Sequence, residues 1–325
     1  MLIFSLDDET DNANRLVAEL QNQLGQEQVQ RGDIVQRHFP DGESYIRIAS
    51  QVKQQDIIVL CQLHQPNNKL IDLMFFAETA KQLGANSVHL VAPYLAYMRQ
   101  DKRFNDGECI TSRHASSWIS ERFDSLITID PHLHRYHSLN EIYSIPSYAL
   151  HATDLMAEYI RDNIAKPLVI GPDSESEQWA KAVAELAGCD AIVLSKIRHG
   201  DHDVEVSLPE LGQYPDHQPV LIDDIISTGR TMIKAADNIV ALGGKPPICI
   251  GVHGVFSPRA LDEMKLAKIA DVVTCSTIEH ETNKISVVKK LALAIIKMQE
   301  QIAGQAITQE SVATKFDANT QLKGE

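Results

Sequence analysis

The stretch VLIDDIISTGRT at residues 220–231 predicts a buried strand, a tight loop and the start of a helix. An apolar run leads to the adjacent carboxylates Asp223 and Asp224, and a loop of small residues then opens a helix from about Thr231. At the carboxyl end of a parallel strand, such a loop turns backbone N–H groups and the helix N-terminus toward a phosphate. Two carboxylates at a strand end can also simply cap the next helix. Their combination with three small residues favours a phosphate site beside acceptors for hydroxyl groups or Mg²⁺.

Short runs rich in valine and isoleucine recur on both sides of this stretch and alternate with amphipathic segments. That alternation predicts an α/β fold with mainly parallel sheets flanked by helices. Residues 37–48, RHFPDGESYIRI, predict a hairpin with Pro-Asp-Gly in its turn. Helices are predicted over 12–24 and 68–83, each ending before a glycine. Strands are predicted over 56–60, 87–92, 125–130, 167–171, 190–194, 219–223, 248–252 and 271–275.

These elements form two successive arrays, and a chain of 325 residues is long enough for about two domains. We predict domains over residues 1–146 and 147–303, each with its own sheet, followed by a polar tail over 304–325. The two arrays show no repeat at the level of sequence, so any duplication lies in the fold.

The composition argues against several classes of protein. Thirty Lys and Arg residues against 44 Asp and Glu residues give a net charge of −14, which repels nucleic acids and anionic membranes. The five cysteines form no CxxC pair, and His132 and His134 have no third strong ligand at a suitable spacing, so neither a disulfide framework nor a zinc site is predicted. No apolar run approaches the ~20 residues that span a bilayer, and the first residues do not resemble a signal peptide. We expect a cytoplasmic protein that binds neither nucleic acid nor membrane.

Residues 220–231 resemble the phosphoribosyl diphosphate binding motif, which occurs in phosphoribosyltransferases and in ribose-phosphate pyrophosphokinases. Four further segments resemble the pyrophosphokinases, in matching order: HFPDGESYIRI at 38–48, PYLAYMRQDKRF at 93–104, DPHLHRYH at 130–137 and GPDSESEQW at 171–179. The resemblance implies two similar phosphoribosyltransferase-like domains, a need for Mg²⁺, and transfer of the diphosphate of ATP to the C1 hydroxyl of ribose 5-phosphate with release of AMP. A catalytically silent regulatory relative and a phosphoribosyltransferase are the alternatives.

The resemblance also implies roles for individual residues. Ribose 5-phosphate is expected to contact Asp223, Asp224, Ser227, Thr228, Gly229, Arg230 and Thr231. ATP is expected to contact Arg99, Gln100, Asp101 and His132, while Phe39, Asp41 and Glu43 reach the adenine of a neighbouring subunit's nucleotide. This shared site implies a homo-oligomer, at least a dimer. Mg²⁺ is expected at His132 and Asp173, and a mobile flap is expected to bring the catalytic cations Lys196 and Arg198 to the transferring phosphoryl group.

Two segments depart from the pattern of the family. Where many members have glycines, residues 174–179 are SESEQW, which adds Glu175 and Glu177 beside a site for anions. We expect these acids either to begin a helix that points away or to weaken the binding of ribose 5-phosphate. The segment RFNDGECITSRH at 103–114 resembles the short loop of archaeal-type members rather than the longer basic loop of regulated enzymes. That resemblance puts phosphate activation and ADP inhibition in question.

Overall fold

Two sheets of parallel strands form the frame of the molecule, which we describe from a computed structural model. The structure describes residues 1–6, 11–133, 135–172, 176–193, 195–199, 203–207, 211–302 and 304, with the backbone alone for 178, 195–199 and 203–207. The first sheet has the order β2 (Gln30–Arg31), β1 (Leu2–Ser5), β5 (Asp56–Leu60), β6 (Ser87–Ala92), β7 (Ser125–Ile129) and β8 (Ser147–Leu150). The second has the order β10 (Asp190–Val193), β9 (Pro167–Gly171), β13 (Gln218–Ile226), β14 (Ile248–Gly254), β15 (Asp271–Cys275) and β16 (Asn283–Ile285).

Each sheet is accompanied by an antiparallel hairpin inserted at the same point of the chain order. In the first half it is β3 (Ile34–His38) with β4 (Ser44–Ile48), which confirms the hairpin predicted around the Pro-Asp-Gly turn. In the second half it is β11 (Ser195–His199) with β12 (Asp203–Ser207). The two halves therefore repeat one topology that their sequences do not show.

The helices connect the parallel strands and cover both faces of each sheet. Their amphipathic spacing explains their placement: in the first helix, Ala13, Leu16, Val17 and Leu20 are buried on one side. The helices are α1 (Asp11–Leu24), α2 (Pro66–Gln82), α3 (Thr111–Ser120), α4 (Thr153–Asn163), α5 (Glu177–Ala187), α6 (Arg230–Ala241), α7 (Ala260–Leu266) and α8 (288–302).

One hydrophobic cluster joins the two halves. It contains the inner faces of both sheets, such as Ile127 on β7 and Ile222 on β13, together with α1, α4, α5 and α8. The last helix of each half packs on the other half. In α8, Met298 lies 2.8 Å from the hydroxyl of Ser125 on β7, while α4 packs against α5 and β16. Because each half places its last helix on the other half, both sheets are buried against a common layer of helices. The two sheets are therefore held in a fixed position relative to each other.

The structure corrects several details of the predictions. The short strands β1, β2, β8 and β16 were not predicted, because runs of two to four residues give little periodicity. Strand β13 continues to Ile226 instead of ending at Asp223, so both Asp223 and Asp224 lie inside it, and α6 begins at Arg230. The boundary predicted after residue 146 precedes β8, which completes the first sheet.

Among the helices that the structure describes, none combines the length and the apolar composition needed to cross a lipid bilayer.

Candidate active site

A pocket of about 750 Å³ opens where the carboxyl ends of the two sheets meet. Residues after the carboxyl ends of parallel strands gather at one edge, where ligands of α/β proteins bind. A smaller pocket of about 400 Å³ lies at the opposite, amino ends of β9, β10 and β13 and is not at that edge. The larger pocket is lined by Arg99, Asp130, Pro131, His132, Leu133 and His151 on one side and by Ser176, Trp179, Ala182, Asp223, Asp224, Ile225 and Ser227 on the other.

The shape of this pocket follows from the unequal lengths of β13 and its neighbour. Strand β9 pairs with β13 only as far as Ile170 opposite Leu221, while β13 continues along β14 to Ile226. The last part of β13 therefore extends beyond β9. Asp223 and Asp224 lie on this extension, half-buried at the pocket wall.

A hydrogen bond between His132 and Asp224 crosses the pocket and joins the two halves of the chain. Nδ1 of His132 lies 2.6 Å from Oδ2 of Asp224. Since a carboxylate only accepts, Nδ1 carries the proton, and in the neutral ring the lone pair is on Nε2. Burial disfavours ionisation of Asp224, but the hydrogen bond and charge of His132, with His253 and Asp223 nearby, outweigh it and hold the pKa of Asp224 below its usual value. The geometry therefore joins a residue predicted for ATP and metal to one predicted for ribose.

The turn that carries His132 is held by Asp130, a residue to which the sequence assigned no role. Its carboxylate accepts from Nδ1 of His151 at 2.8 Å and from the backbone N–H of Ala152 at 2.8 Å. The bond to Asp130 raises the pKa of His151 against a smaller opposing effect of burial. Both carboxylate oxygens of Asp130 are thus used in shaping the pocket wall.

The loop predicted to bind phosphate follows β13 at the mouth of the pocket. Ser227 lines the pocket, and the side chains of Thr228, Arg230 and Thr231 are exposed. Gly229 precedes the first residue of α6 with φ +69°, a left-handed conformation that favours glycine, and a Cβ there would lie 2.7 Å from Met264. The loop presents the N-terminus of a twelve-residue helix, as the sequence predicts.

Arg99, Gln100 and Asp101 follow β6, and they do not all face the pocket. Arg99 is exposed and lines it. Asp101 is buried and accepts two hydrogen bonds from Nη1 of Arg135, at 2.8 and 2.9 Å. The carboxylate of Asp101 therefore fixes the segment that carries Arg99, and its predicted contact with ATP stays a prediction.

The hairpin residues Phe39, Asp41 and Glu43 are exposed and are not among the residues that line the pocket. Oδ1 of Asp41 accepts from the N–H of Glu43 at 3.2 Å, which stabilises the turn. The guanidinium of Arg37 lies over the rings of Phe39 and Tyr45, 4.7 and 4.2 Å from their centroids. The ring of Phe39 is thus held in place on an exposed hairpin, a position suited to a contact with another molecule.

The two predicted catalytic cations lie on β11, where only the backbone is described. Lys196 is opposite Val206 and Arg198 is opposite Val204 in the antiparallel pair with β12. The prediction for Asp173 lies outside the described residues, as do His134 and Glu175. Glu177 begins α5 and forms a surface ion pair with Lys181 at 2.6 Å, so this acid does begin a helix, but Trp179 and Ala182 of that helix line the pocket. The effect of Glu177 on binding of ribose 5-phosphate stays a prediction.

The described acids and histidines do not form a complete metal site. Among the residues that the structure describes, no group of three or more His, Cys, Asp and Glu side chains is arranged to hold a metal ion.

Comparison with known proteins decides the family. The model of the N-terminal domain of ribose phosphate pyrophosphokinase matches residues 1–121, and the model of the phosphoribosyl transferase domain matches residues 138–290. The ribose-phosphate pyrophosphokinase of Sulfolobus acidocaldarius is 35% identical over 254 residues, which cover 77% of this chain and 86% of that protein. This chain belongs to the ribose-phosphate pyrophosphokinase family.

Further members of the family agree over a larger share of the chain. The ribose-phosphate pyrophosphokinase of Thermotoga maritima is 30% identical over 307 residues, covering 90% of this chain and 94% of that protein. The phosphoribosylpyrophosphate synthetase of Mycobacterium smegmatis superimposes with a TM-score of 0.79 at 22% identity, over 92% of this chain and 99% of that chain. The predicted fold of two phosphoribosyltransferase-like domains is confirmed. Archaeal and bacterial relatives both match, so the archaeal-type character of the short loop stays a prediction.

Several residues of this pyrophosphokinase site were not predicted from the sequence. Arg135 and His151 bind the carboxylates of Asp101 and Asp130, which are distant in sequence and come close only in the folded chain. No local sequence pattern predicts those contacts. Trp179 had no role assigned, yet it lines the pocket from α5. His253 was detectable, because a histidine inside the apolar run ICIGVHGVF must find hydrogen-bond partners in the core.

Proposed function

We propose that this chain catalyses transfer of the diphosphate of ATP to the C1 hydroxyl of ribose 5-phosphate in the pocket between the two sheets. The observation that carries the proposal is the bond between His132 and Asp224, which brings the segment expected to bind ATP against the segment expected to bind ribose. Family membership supplies the reaction, and the pocket supplies one place for both substrates. In such a transfer, positioning and neutralisation of charge dominate catalysis.

Ribose 5-phosphate is assigned to the side of the pocket formed by β13 and α6. The carboxylates of Asp223 and Asp224 accept hydrogen bonds from ribose hydroxyls, since an ionised carboxylate is an acceptor only. The phosphate is bound by the loop of Ser227, Thr228, Gly229, Arg230 and Thr231, whose backbone N–H groups and helix N-terminus suit an anion.

ATP is assigned to the side formed by the segments after β6 and β7. Arg99 contributes a cation at the pocket wall, with Gln100 beside it and Asp101 anchoring the segment through Arg135. His132 contacts the phosphates or their metal. The adenine is bound by Phe39, Asp41 and Glu43 of a neighbouring subunit, which makes the functional unit a homo-oligomer of at least two chains.

Mg²⁺ is assigned to His132 and Asp173. The described donors suit it in part: only the neutral ring of His132, with its proton on Nδ1, has a lone pair on Nε2 for a metal, and Mg²⁺ prefers oxygen to nitrogen. Mg²⁺ carried on phosphates needs only one or two protein ligands. When bound, Mg²⁺ neutralises charge on the transferring phosphates. Lys196 and Arg198 are assigned to the flap of β11 and β12 and act on the same charge in the transition state.

The proposal is tested by incubating purified protein with ATP, Mg²⁺ and ribose 5-phosphate and measuring AMP. We expect release of AMP that depends on the pentose phosphate and yields one phosphoribosyl diphosphate for each AMP. Binding of ATP with no AMP would indicate a silent regulatory relative. Turnover only with phosphoribosyl diphosphate and a nucleobase would indicate a phosphoribosyltransferase, and either result would overturn the proposal.

A reducing compartment, the cytoplasm, is the proposed location. No disulfide joins any of the five cysteines, and Cys61, Cys249 and Cys275 are buried in the core. Buried cysteines outside disulfides are usual in proteins of reducing compartments.

A further inference from the structure

His253 lies between the two sheets, directly behind the turn that carries His132. It is on β14, 1% exposed, and its ring meets the ring of Tyr94 from the first half at 5.0 Å between centroids. Nε2 of His253 donates to the carbonyl oxygen of Asp130 at 3.2 Å, and Nδ1 lies 2.9 Å from the hydroxyl of Thr277. The ring is therefore fixed at both nitrogens, and one of its bonds reaches across to the first half.

The residue that His253 holds has an unfavourable backbone conformation. Asp130 has φ +36°, a value that a residue with a side chain rarely adopts. Such a conformation persists only where the surroundings determine it, and it is common at functional sites. The carbonyl of Asp130 accepts from His253 and also from the backbone N–H of His132, at 2.9 Å. His253 thus contacts the same oxygen that positions the backbone of His132.

Two histidine bonds consequently cross between the halves in opposite directions. His253 of the second half donates to Asp130 of the first, and His132 of the first half donates to Asp224 of the second. We infer that His253 is a positioning residue for the reaction: through the carbonyl of Asp130 it fixes the turn so that His132 meets Asp224 across the pocket. This inference rests on the proposed function of the pocket. His253 is buried behind the pocket and is not among the residues that line it, so it acts through the placement of His132.

Replacement of His253 tests this role by separating turnover from binding. His253→Leu removes the donor at similar volume, and we expect kcat to fall by about 10- to 100-fold. The KM values for ATP and ribose 5-phosphate should change by less than about 3-fold, since the groups that bind them remain. His253→Gln keeps an amide donor and should recover most of the activity. The control is His89→Leu, since His89 is also a buried histidine with two hydrogen-bond partners, Ser87 and Ser125, and it does not contact Asp130.

A double-mutant cycle then decides whether His253 acts through His132. With His132→Ala already present, His253→Leu should lower turnover by less than about 2-fold further, because there is no ring left to position. Radiolabelled ATP allows the slow variants to be compared, and thermal melting confirms that each is folded. The inference would be overturned if the two replacements lowered turnover independently, so that their fold-losses multiplied in the double variant. It would also be overturned if His253→Gln and His89→Leu lost as much turnover as His253→Leu.

Two other outcomes are also decisive. If His253→Leu does not fold, the cycle uses Thr277→Val, which removes the hydroxyl beside Nδ1 of His253. Thr277→Val should lower turnover in the original protein and cause no further loss in the His132→Ala background. Fold-losses that multiply in that double variant would overturn the inference. If the unmodified protein releases no AMP, the proposed function fails. An active unmodified protein with independent effects at His253 and His132 removes only the positioning role.

Discussion

Asp223 and Asp224 are adjacent carboxylates on β13, and their surroundings give them different tasks. Oδ2 of Asp224 accepts from His132 across the pocket, whereas Oδ1 of Asp223 accepts from the backbone N–H of Asp224 at 3.0 Å. If Asp224 also accepts from ribose, as proposed, it affects both the binding of ribose 5-phosphate and the orientation of His132. The paired acids in the sequence predict the first task, but the second depends on a partner 92 positions away.

At this residue scale, we predict that Asp224→Asn raises the KM for ribose 5-phosphate by at least about tenfold, because the amide places a donor where ribose needs an acceptor. The same change should lower kcat, because the charge that orients His132 is lost. Asp223→Asn is the matched control: it should raise the same KM and leave kcat much closer to its original value. Steady-state kinetics with each substrate varied in turn measures both effects, and a change in the KM for ATP alone would mean that the two substrates are assigned to the wrong sides.

At the scale of elements, the loop between β13 and α6 depends on Gly229. Its φ of +69° costs a residue with a side chain roughly 1–2 kcal/mol, and its Cβ would also meet Met264. We predict that Gly229→Ala weakens binding of ribose 5-phosphate and lowers the free energy of unfolding. Gly243→Ala is the control, since Gly243 follows the other end of α6 with φ +86° and has open space around it. Urea unfolding should show a lower free energy of unfolding in both variants, while only Gly229→Ala should raise the KM for ribose 5-phosphate. The same KM for ribose 5-phosphate in both variants would show that the loop does not bind the phosphate.

The flap of β11 and β12 is the second element with a testable role. We predict that Lys196→Ala and Arg198→Ala each lower turnover by roughly 10² or more, the effect of losing a charge that stabilises the transition state. Binding of ATP should hardly change, because these cations act mainly after the substrates are bound. Lys181→Ala, on the exposed side of α5, removes an equal charge elsewhere and should have no effect on turnover. Turnover at the original rate in both flap variants would exclude this role.

The sequence was informative about elements with strong local patterns. The apolar run of β14 and the spacing of α2 fall close to their predicted limits, because burial on both faces or on one stripe leaves a clear periodicity. Two-residue β2 leaves none. The extension of β13 past Asp224 was missed because carboxylates normally end an apolar run. Here the strand continues because the two carboxylates face a pocket and are only partly buried.

At the scale of the whole molecule, two similar halves were predictable and their arrangement was not. The chain order of strands, helices and hairpins repeats, but the packing of α4 and α8 on the opposite half depends on which sheet each apolar face meets. An amphipathic pattern indicates which face of a helix is buried, but it does not indicate which element that face packs against. The pocket follows from that arrangement, since the exchanged helices fix the two sheets with their carboxyl ends toward one cleft.

Assembly supplies the last prediction, because the hairpin of Phe39 and Glu43 is exposed while the pocket is built from other segments. If the hairpin completes the site of a neighbouring subunit, each site needs one intact hairpin and one intact flap from different chains. Mixing inactive Phe39→Ala, Glu43→Ala chains with inactive Lys196→Ala chains should then recover about a quarter of the original activity, since half of random dimers are hybrids with one intact site. Mixing Lys196→Ala with Arg198→Ala chains is the control: both defects lie on the flap, so every site stays damaged. Subunit exchange is verified with differently tagged chains, and exchange without recovered activity would place the hairpin at the site of its own chain.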